Sequence, residues 1–244
     1  MSGAFAFRTA SVTDVGLARE LNEDSLLAMP DIGLWAIADG MGGYGGGDVA
    51  SRAVMDALRT IAPNSSAADL LKEFEQKIVR VNSDLRAFAR SNGAAIVGTT
   101  LVALIIHGGN FACVWCGDSR AYLSRGGALS RISRDHSEVQ ELIDRGLLDE
   151  ERARTWPSRN VVTRALGASD RAELELVDGP IFNGDRFLLC SDGLTVHVDD
   201  KEIGSLLGAI DPTKACQDLL QLTLDRGARD NVSIIVVDCE AHSA

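Results

Sequence analysis

Positive charge is scarce in this chain: 24 Lys and Arg stand against 35 Asp and Glu, a formal net charge of −11. The acidic excess is spread along the sequence rather than gathered in a tail. That argues against a nucleic-acid backbone or an anionic membrane as the main partner, since either would be repelled. Long apolar runs are also missing, and none approaches the length of a membrane span. The N-terminus lacks a basic region followed by an apolar stretch, so neither a secretory leader nor a membrane anchor is expected. Cysteine is sparse and odd in number, with five at positions 113, 116, 190, 216 and 239, mostly inside apolar segments. Reduced, buried thiols in a cytoplasmic protein are the expectation. Cys113 and Cys116 form a C-x-x-C, but the run Phe111–Cys116 reads as a strand, where residues three apart face opposite ways. A structural role therefore outweighs zinc or redox chemistry. No cysteine lies in an Arg-flanked phosphate loop, which sets thiolate catalysis aside.

Histidine is no more plentiful, at four. His107 and His242 read as surface residues, His136 as a hydrogen-bonding group at a helix start, and His197 as having no evident partner. No linker-like stretch interrupts the chain, so residues 1–244 read as one domain. The hydrophobic fraction of 45% is enough for a core without staples.

The periodicity predicts strands over residues 5–15, Ser25–Met29, Trp35–Asp39, Gly98–Ile106, Phe111–Gly117, Ala121–Ser124, Ala128–Ile132, 172–177 (an edge strand), Arg186–Ser191 and Val232–Val237. Helices are predicted over Asp48–Ile61, His136–Gly146, 200–208 and Thr213–Gly227. A longer one carries Leu70, Phe74, Ile78, Leu85 and Phe88 on one face and is closed by Gly93. Residues 147–160 read as a charged, irregular and mobile excursion. Helices come in groups between runs of antiparallel strands rather than in βαβ alternation. The expected fold is α+β, with packed antiparallel sheets and helical layers outside.

The chemistry is carried by carboxylates at corners. Asp39 and Asp192 each finish an apolar strand, Asp230 begins one, and Asp118 sits at a tight corner between two, always with Gly or Asn alongside. Each corner alone has a local explanation, because Asp and Gly favour turns. Together with Glu23 and Asp24 they suggest a shared site, and Asp24 and Asp39 are expected to meet across neighbouring strand ends. Carboxylates brought together in a partly dry site repel one another, and divalent cations relieve that. All-oxygen ligation without a His or Cys cluster points to Mg²⁺ or Mn²⁺ rather than Zn²⁺.

In order along the chain stand Arg19-x-x-Asn22-Glu23-Asp24, Asp39-Gly40-Met41-Gly42-Gly43, Gly98-Thr99-Thr100, Gly117-Asp118-Ser119-Arg120, Thr163-Arg164-Ala165-Leu166-Gly167, Ser191-Asp192-Gly193 and Arg229-Asp230-Asn231. This ordered set, covering nearly the whole chain, resembles the PPM/PP2C family of metal-dependent serine/threonine protein phosphatases, in its compact bacterial form. The resemblance implies a central β-sandwich of two antiparallel sheets flanked by helix pairs. It implies two core Mn²⁺ or Mg²⁺ ions bridged by Asp39, with the Gly40 carbonyl on one and Asp192 and Asp230 on the other. Glu23 and Asp24 would hold metal-bound waters, and Asp118 with Asp192 a weaker third ion. Arg19 would grip the substrate phosphate, and Asn231 would support the Asp230 corner. Residues 136–160 would be a flap beside the site, carrying Trp156 where relatives often have His. Met41 and Gly42 follow Gly40 where some eukaryotic members carry a proton-donating His. The implied partners are phosphorylated proteins, a bacterial Ser/Thr kinase and its targets, met by a monomer. A catalytically silent phosphoprotein-binding domain and a hydrolase of small phosphate esters remain the alternatives.

Overall fold

The computed structural model describes residues 5–42, 45–63, 66–94, 96–153, 155–208 and 211–241. Gly43 and His242 lie outside them. Eleven strands form in chain order. They are β1 (Phe5–Asp14), β2 (Asp24–Met29), β3 (Leu34–Gly42), β4 (Val97–Thr99), β5 (Leu101–His107), β6 (Asn110–Cys116), β7 (Arg120–Arg125), β8 (Ala128–Arg131), β9 (Glu175–Pro180), β10 (Arg186–Cys190) and β11 (Val232–Ala241). The helices are α1 (Gly46–Arg59), α2 (Ala67–Ser91), α3 (Glu138–Asp144), α4 (Glu150–Ala153), α5 (Asp192–Thr195), α6 (Asp200–Leu207) and α7 (Pro212–Asp225).

The strands pair antiparallel into two sheets. One runs β1-β11-β10-β7-β8; the other runs β2-β3-β5-β6-β9, with β4 paired to β3. Alternation along each strand sorts the side chains into three apolar layers. Between the sheets lie Trp35, Ile37, Leu104 and Trp115 from one and Phe187, Leu189, Ile235 and Val237 from the other. Trp35 meets Phe7 edge to face with ring centroids 5.2 Å apart, and its indole N–H donates to Thr9 Oγ1 at 3.0 Å. A second layer joins the outer face of β3 and β5 to α1 and α2 through residues such as Ala36, Val54, Phe74 and Ala103. A third joins β10 and β11 to α5, α6 and α7 through Leu188, Ile203, Leu219 and Ile234. The result is an α+β sandwich with helices on both outer faces, as the sequence led one to expect. Cys113 falls in the inter-sheet layer and Cys116 in the α1/α2 layer, so the C-x-x-C does split across a sheet. All five cysteines are free and buried. Among the described residues no helix is long and apolar enough to cross a membrane.

Several expectations need correction. The strand read as Gly98–Ile106 breaks at Thr100 into β4 and β5, because Thr99 exchanges backbone hydrogen bonds with Leu166 while Thr100 N–H donates to Asp39 O. The edge strand begins at Glu175 rather than at residue 172; Ala172 and Leu174 pack against the α1/α2 layer instead. On α2, Phe88 is 40% exposed and Ala89 takes its place in the core. At 100° per residue, position 88 has drifted roughly 80° from the direction of Ile78, whereas 89 lies roughly 20° from it. The excursion 147–160 contains α4, whose Ala153 packs with Leu148 and Val139 of α3. His197 has a partner, accepting from the Arg229 N–H at 3.2 Å.

Candidate active site

The two sheets present one shared edge where strand ends and corners converge. Asp24 and Asp39 are register partners across β2 and β3. Strand β3 does not stop at Asp39 but continues to Gly42, with Gly40–Gly42 paired to β4. Asp39 is thereby held through its backbone from several sides. Its N–H donates to Thr100 Oγ1 at 3.0 Å, and its carbonyl accepts from Thr99 Oγ1 at 2.9 Å and Thr100 N–H at 2.8 Å. Thr100 Oγ1 and Ser119 Oγ are hydrogen-bonded at 2.8 Å, which ties the β3 carboxylate to the Asp118 corner. Gly117, which opens that corner, has φ +114, and a side chain there would meet Thr100 at 2.7 Å. Only glycine combines that dihedral with so close an approach.

Asp192 is delivered differently from the sequence expectation: it opens the short helix α5 instead of closing β10, with Ser191 as N-cap. Ser191 Oγ donates to Asp24 Oδ2 at 2.8 Å and accepts from Ser233 N–H at 2.9 Å, joining the β2 carboxylate to β10 and β11. Asp230 stands at the mouth. Its Oδ1 accepts from Asn231 N–H at 2.9 Å and its Oδ2 from Arg19 Nη2 at 2.8 Å. Asn231 anchors the Arg19 loop: it accepts from Glu23 N–H and donates to the carbonyls of Val15 and Leu21. Gly40 N–H donates to Glu23 O at 3.1 Å.

Crowding shows in the protonation of these groups. Burial, then repulsion from Asp24, Asp192, Asp118 and Asp230, pushes the Asp39 carboxyl well above the usual range. Burial, then Asp192 and Asp135, does the same to Asp118. Burial raises Asp24 to about 7 against the help of Ser233 and Ser191, and burial with Asp230 raises Asp192 to about 6. Asp192 adds to the repulsion on Asp39, and carboxylates crowded in this way favour keeping a proton. Asp24 Oδ1 is buried without any hydrogen-bond partner, alone among buried side-chain polar atoms of the described residues. An orphaned carboxylate oxygen costs about 1–3 kcal/mol or more.

The donors are all oxygens, and the arrangement suits hard divalent cations. As they stand, the described residues contain no group of three or more His, Cys, Asp or Glu arranged to hold a metal ion. One of the expected ligands, Asp230, is instead paired with Arg19. Cation entry would have to displace protons held by the crowded carboxyls and release Asp230 from Arg19. The metal-free protein should therefore lose stability as pH rises. Asp24 and Asp192 sit above their unfolded values, so their contribution is full only below about pH 4 and is lost as pH rises through about 6–7. The melting temperature of chelator-treated protein is expected to fall by about 5–10 °C between pH 5 and pH 8. Saturating Mn²⁺ should recover it, and a flat profile would show that the carboxyls are not coupled.

Sequence reasoning quoted Thr99, Thr100, Ser119 and Ser191 within motifs but gave their hydroxyls no role, and it passed over Ser233 altogether. It also missed the Arg19–Asp230 pair and Asn82 of α2. That buried side chain accepts from Gly167 N–H at 2.7 Å and donates to Ser169 O, fixing the 163–167 turn against β4.

Comparison with known proteins fits this picture. A family model described as Protein phosphatase 2C matches residues 18–231. The serine/threonine protein phosphatase PstP of Mycobacterium tuberculosis is 38% identical over 232 residues, 95% of this chain and 45% of that protein. The chain thus spans about half the length of that relative. Among solved structures, PppA, described as a key regulatory component of T6SS in Pseudomonas aeruginosa, superimposes with a TM-score of 0.89 at 42% identity, covering 96% of this chain and 97% of that one. The catalytic domain of serine/threonine protein phosphatase PstP in complex with two manganese ions gives a TM-score of 0.89 at 36% identity, covering 97% and 99%.

Proposed function

Because the chain belongs to the protein phosphatase 2C family, a family of metal-dependent serine/threonine phosphatases, we propose that it hydrolyses phosphoserine and phosphothreonine in proteins at the carboxylate cluster. The observation that carries this reading is the crowd of buried Asp24 and Asp118 with half-buried Asp39 and Asp192, one oxygen of Asp24 being unpartnered. Such a site is costly unless something positively charged completes it. Asp39 and the Gly40 carbonyl, with Asp192 and Asp230, would hold two Mn²⁺ or Mg²⁺ ions. Glu23 and Asp24 would accept hydrogen bonds from their waters, and Asp118 with Asp192 would hold a weaker third. When bound, the ions would neutralise the carboxylates and supply an activated water for attack on phosphorus.

The rest falls to the chain itself. Arg19 lies at the mouth on a loop fixed by Asn231, and its planar fork suits a phosphate dianion once Asp230 is engaged elsewhere. Thr99 and Thr100 keep Asp39 in place by its backbone, leaving both of its carboxylate oxygens for the site. Met41 and Gly42 offer no proton donor to the leaving oxygen, so that proton comes from water. The substrates are phosphorylated proteins, and the natural counterpart is a bacterial Ser/Thr kinase and its targets in the cytoplasm. The description of PppA as a regulatory component supports such a signalling role. Residues 136–160, beside the Gly117–Asp118 corner, would bear on which protein is accepted.

The test is phosphate release from a phosphoserine peptide with Mn²⁺ or Mg²⁺, set against nucleotides and sugar phosphates. Turnover of the peptide that stops with chelator is the expected result. Full activity in excess chelator, or a preference for small esters, would overturn the reading.

A further inference from the structure

His136 is buried at the foot of the 137–162 excursion, 6% exposed, with no place in the chemistry above. Its surroundings are unusually well defined. Its backbone N–H donates to Gly117 O at 2.9 Å, and Gly117 N–H donates to the His136 Nδ1 at 3.1 Å, a reciprocal pair. Its carbonyl accepts from Thr163 N–H at 2.8 Å, and Ser137 bridges Val162. The excursion therefore leaves and rejoins the body of the protein at one residue, and that residue grips the glycine before Asp118. The far side of the ring faces β9 and the 163–167 turn. Nε2 lies 3.2 Å from Glu175 Oε1 and 3.3 Å from Arg164 Nη1, while Arg164 Nη1 donates to the same Glu175 oxygen at 2.8 Å. The ring plane lies 22° from that of Trp115, with centroids 6.2 Å apart, and the Trp115 indole N–H is held by Arg134 O.

These contacts fix the tautomer. A backbone N–H aimed at Nδ1 requires a lone pair there, so the ring proton must sit on Nε2. From Nε2 it has one acceptor, Glu175, because Arg164 carries only donors. The charged groups facing the ring are Glu175 and Asp135, which favour a second proton, and Arg164, which with burial opposes it and prevails, holding the imidazole below its ordinary value. A second proton would have to go on Nδ1 and would oppose the Gly117 N–H.

We propose that His136 is a positioning residue of the site. As the Nε2–H tautomer, oriented by Glu175, it sets the Gly117–Asp118 corner and joins that corner to both ends of the 137–162 excursion. The proposal rests on the phosphatase reading for its kinetic consequences but not for its geometry. Glu175 orients the ring, the ring fixes Gly117, and Gly117 packs on Thr100, which holds Asp39. A loosened imidazole is felt both at the excursion and at the carboxylates.

The test uses the full chain with His136→Ala, His136→Asn and Glu175→Gln. Asn keeps an acceptor where Nδ1 stood but no donor toward Glu175. In chelator-treated wild type, ¹⁵N shifts should show Nδ1 unprotonated and Nε2 protonated from pH 6 to 8; the opposite tautomer or an imidazolium would overturn the proposal. Amide exchange at Gly117 should quicken about tenfold in His136→Ala and return most of the way in His136→Asn. With Mn²⁺ present, His136→Ala should lower kcat on both a phosphopeptide and p-nitrophenyl phosphate. Glu175→Gln should raise KM for the phosphopeptide alone, about threefold or more, and should add nothing in the His136→Asn background. Lowered melting temperatures with unchanged kinetics per folded molecule would mean a merely structural histidine. If no variant or wild type hydrolyses the phosphopeptide, the functional reading fails while the exchange and ¹⁵N results still decide this one. If His136→Ala does not fold, the Asn and Gln variants decide it.

Discussion

Asp39→Asn should abolish phosphopeptide hydrolysis, lowering kcat/KM by ~10³-fold or more, and at the same time make the metal-free protein more stable. The two effects have one cause. Asp39 sits at the centre of the crowd, with Asp24, Asp192, Asp118 and Asp230 all raising its pKa in addition to burial. Removing its charge relieves that repulsion. On the proposed reading the same change also removes a carboxylate that would hold the ions, and losing that anion would cost several kcal/mol in the transition state. Rates on a phosphopeptide and melting curves in chelator check both halves. A variant that is inactive and less stable would indicate a folding defect. One that is active would remove Asp39 from the mechanism. Opposite signs in activity and stability are what a functional site under strain gives.

Gly40→Ala should cost about 3 kcal/mol or more and remove most activity, although it changes a single hydrogen to a methyl. A Cβ at Gly40 would stand 2.0 Å from Gly47 O and 2.7 Å from Glu23 O. Both obstacles are backbone, one in the first turn of α1 and one just before β2, so no side chain can swing aside. Relief requires the start of α1 to lift from β3, which moves the Gly40 carbonyl and the Glu23 loop together. A chain of this length loses about 2–4 °C per kcal/mol, so a melting shift of about 10 °C is expected. Gly126→Ala is the control. It lies at φ +58 in the β7–β8 turn with nothing within 4 Å of its would-be Cβ, and should carry only the cost of the dihedral, about 1 kcal/mol. Equal losses at the two positions would contradict the close-approach argument.

Much of this was legible in the sequence, for identifiable reasons. Period-two alternation put Cys113 and Cys116 on opposite faces, and the adjacency of two short strands brought the ends at Asp24 and Asp39 together, because both depend only on short-range geometry. The order of Gly- and Asp-rich corners was enough to show a family likeness. What stayed hidden depends on contacts between distant segments. The break at Thr100 exists because Leu166 and Asp39 claim the backbone groups on either side of it, and nothing in Gly98–Ile106 shows that. The hydroxyl frame of Ser191, Ser233, Thr99 and Thr100 uses residues that are common in strands, so only the fold shows what their hydroxyls hold. Phe88 was misplaced because a helix of this length drifts against any simple repeat, leaving position 88 at the edge of the buried stripe. His197, read as unpartnered, meets Arg229 only because α5 comes to rest beside the turn before β11.

The central claim is that Asp39, Asp192 and Asp230 together hold divalent ions, Asp230 giving up Arg19 to do so. Crystals grown with Mn²⁺ and measured at the manganese absorption edge test it directly. Anomalous peaks within carboxylate reach of Asp39, Asp192 and Asp230, with Arg19 released from Asp230, are the expected result. Manganese bound elsewhere with the Arg19–Asp230 pair intact, or no peak at saturating Mn²⁺, would contradict it.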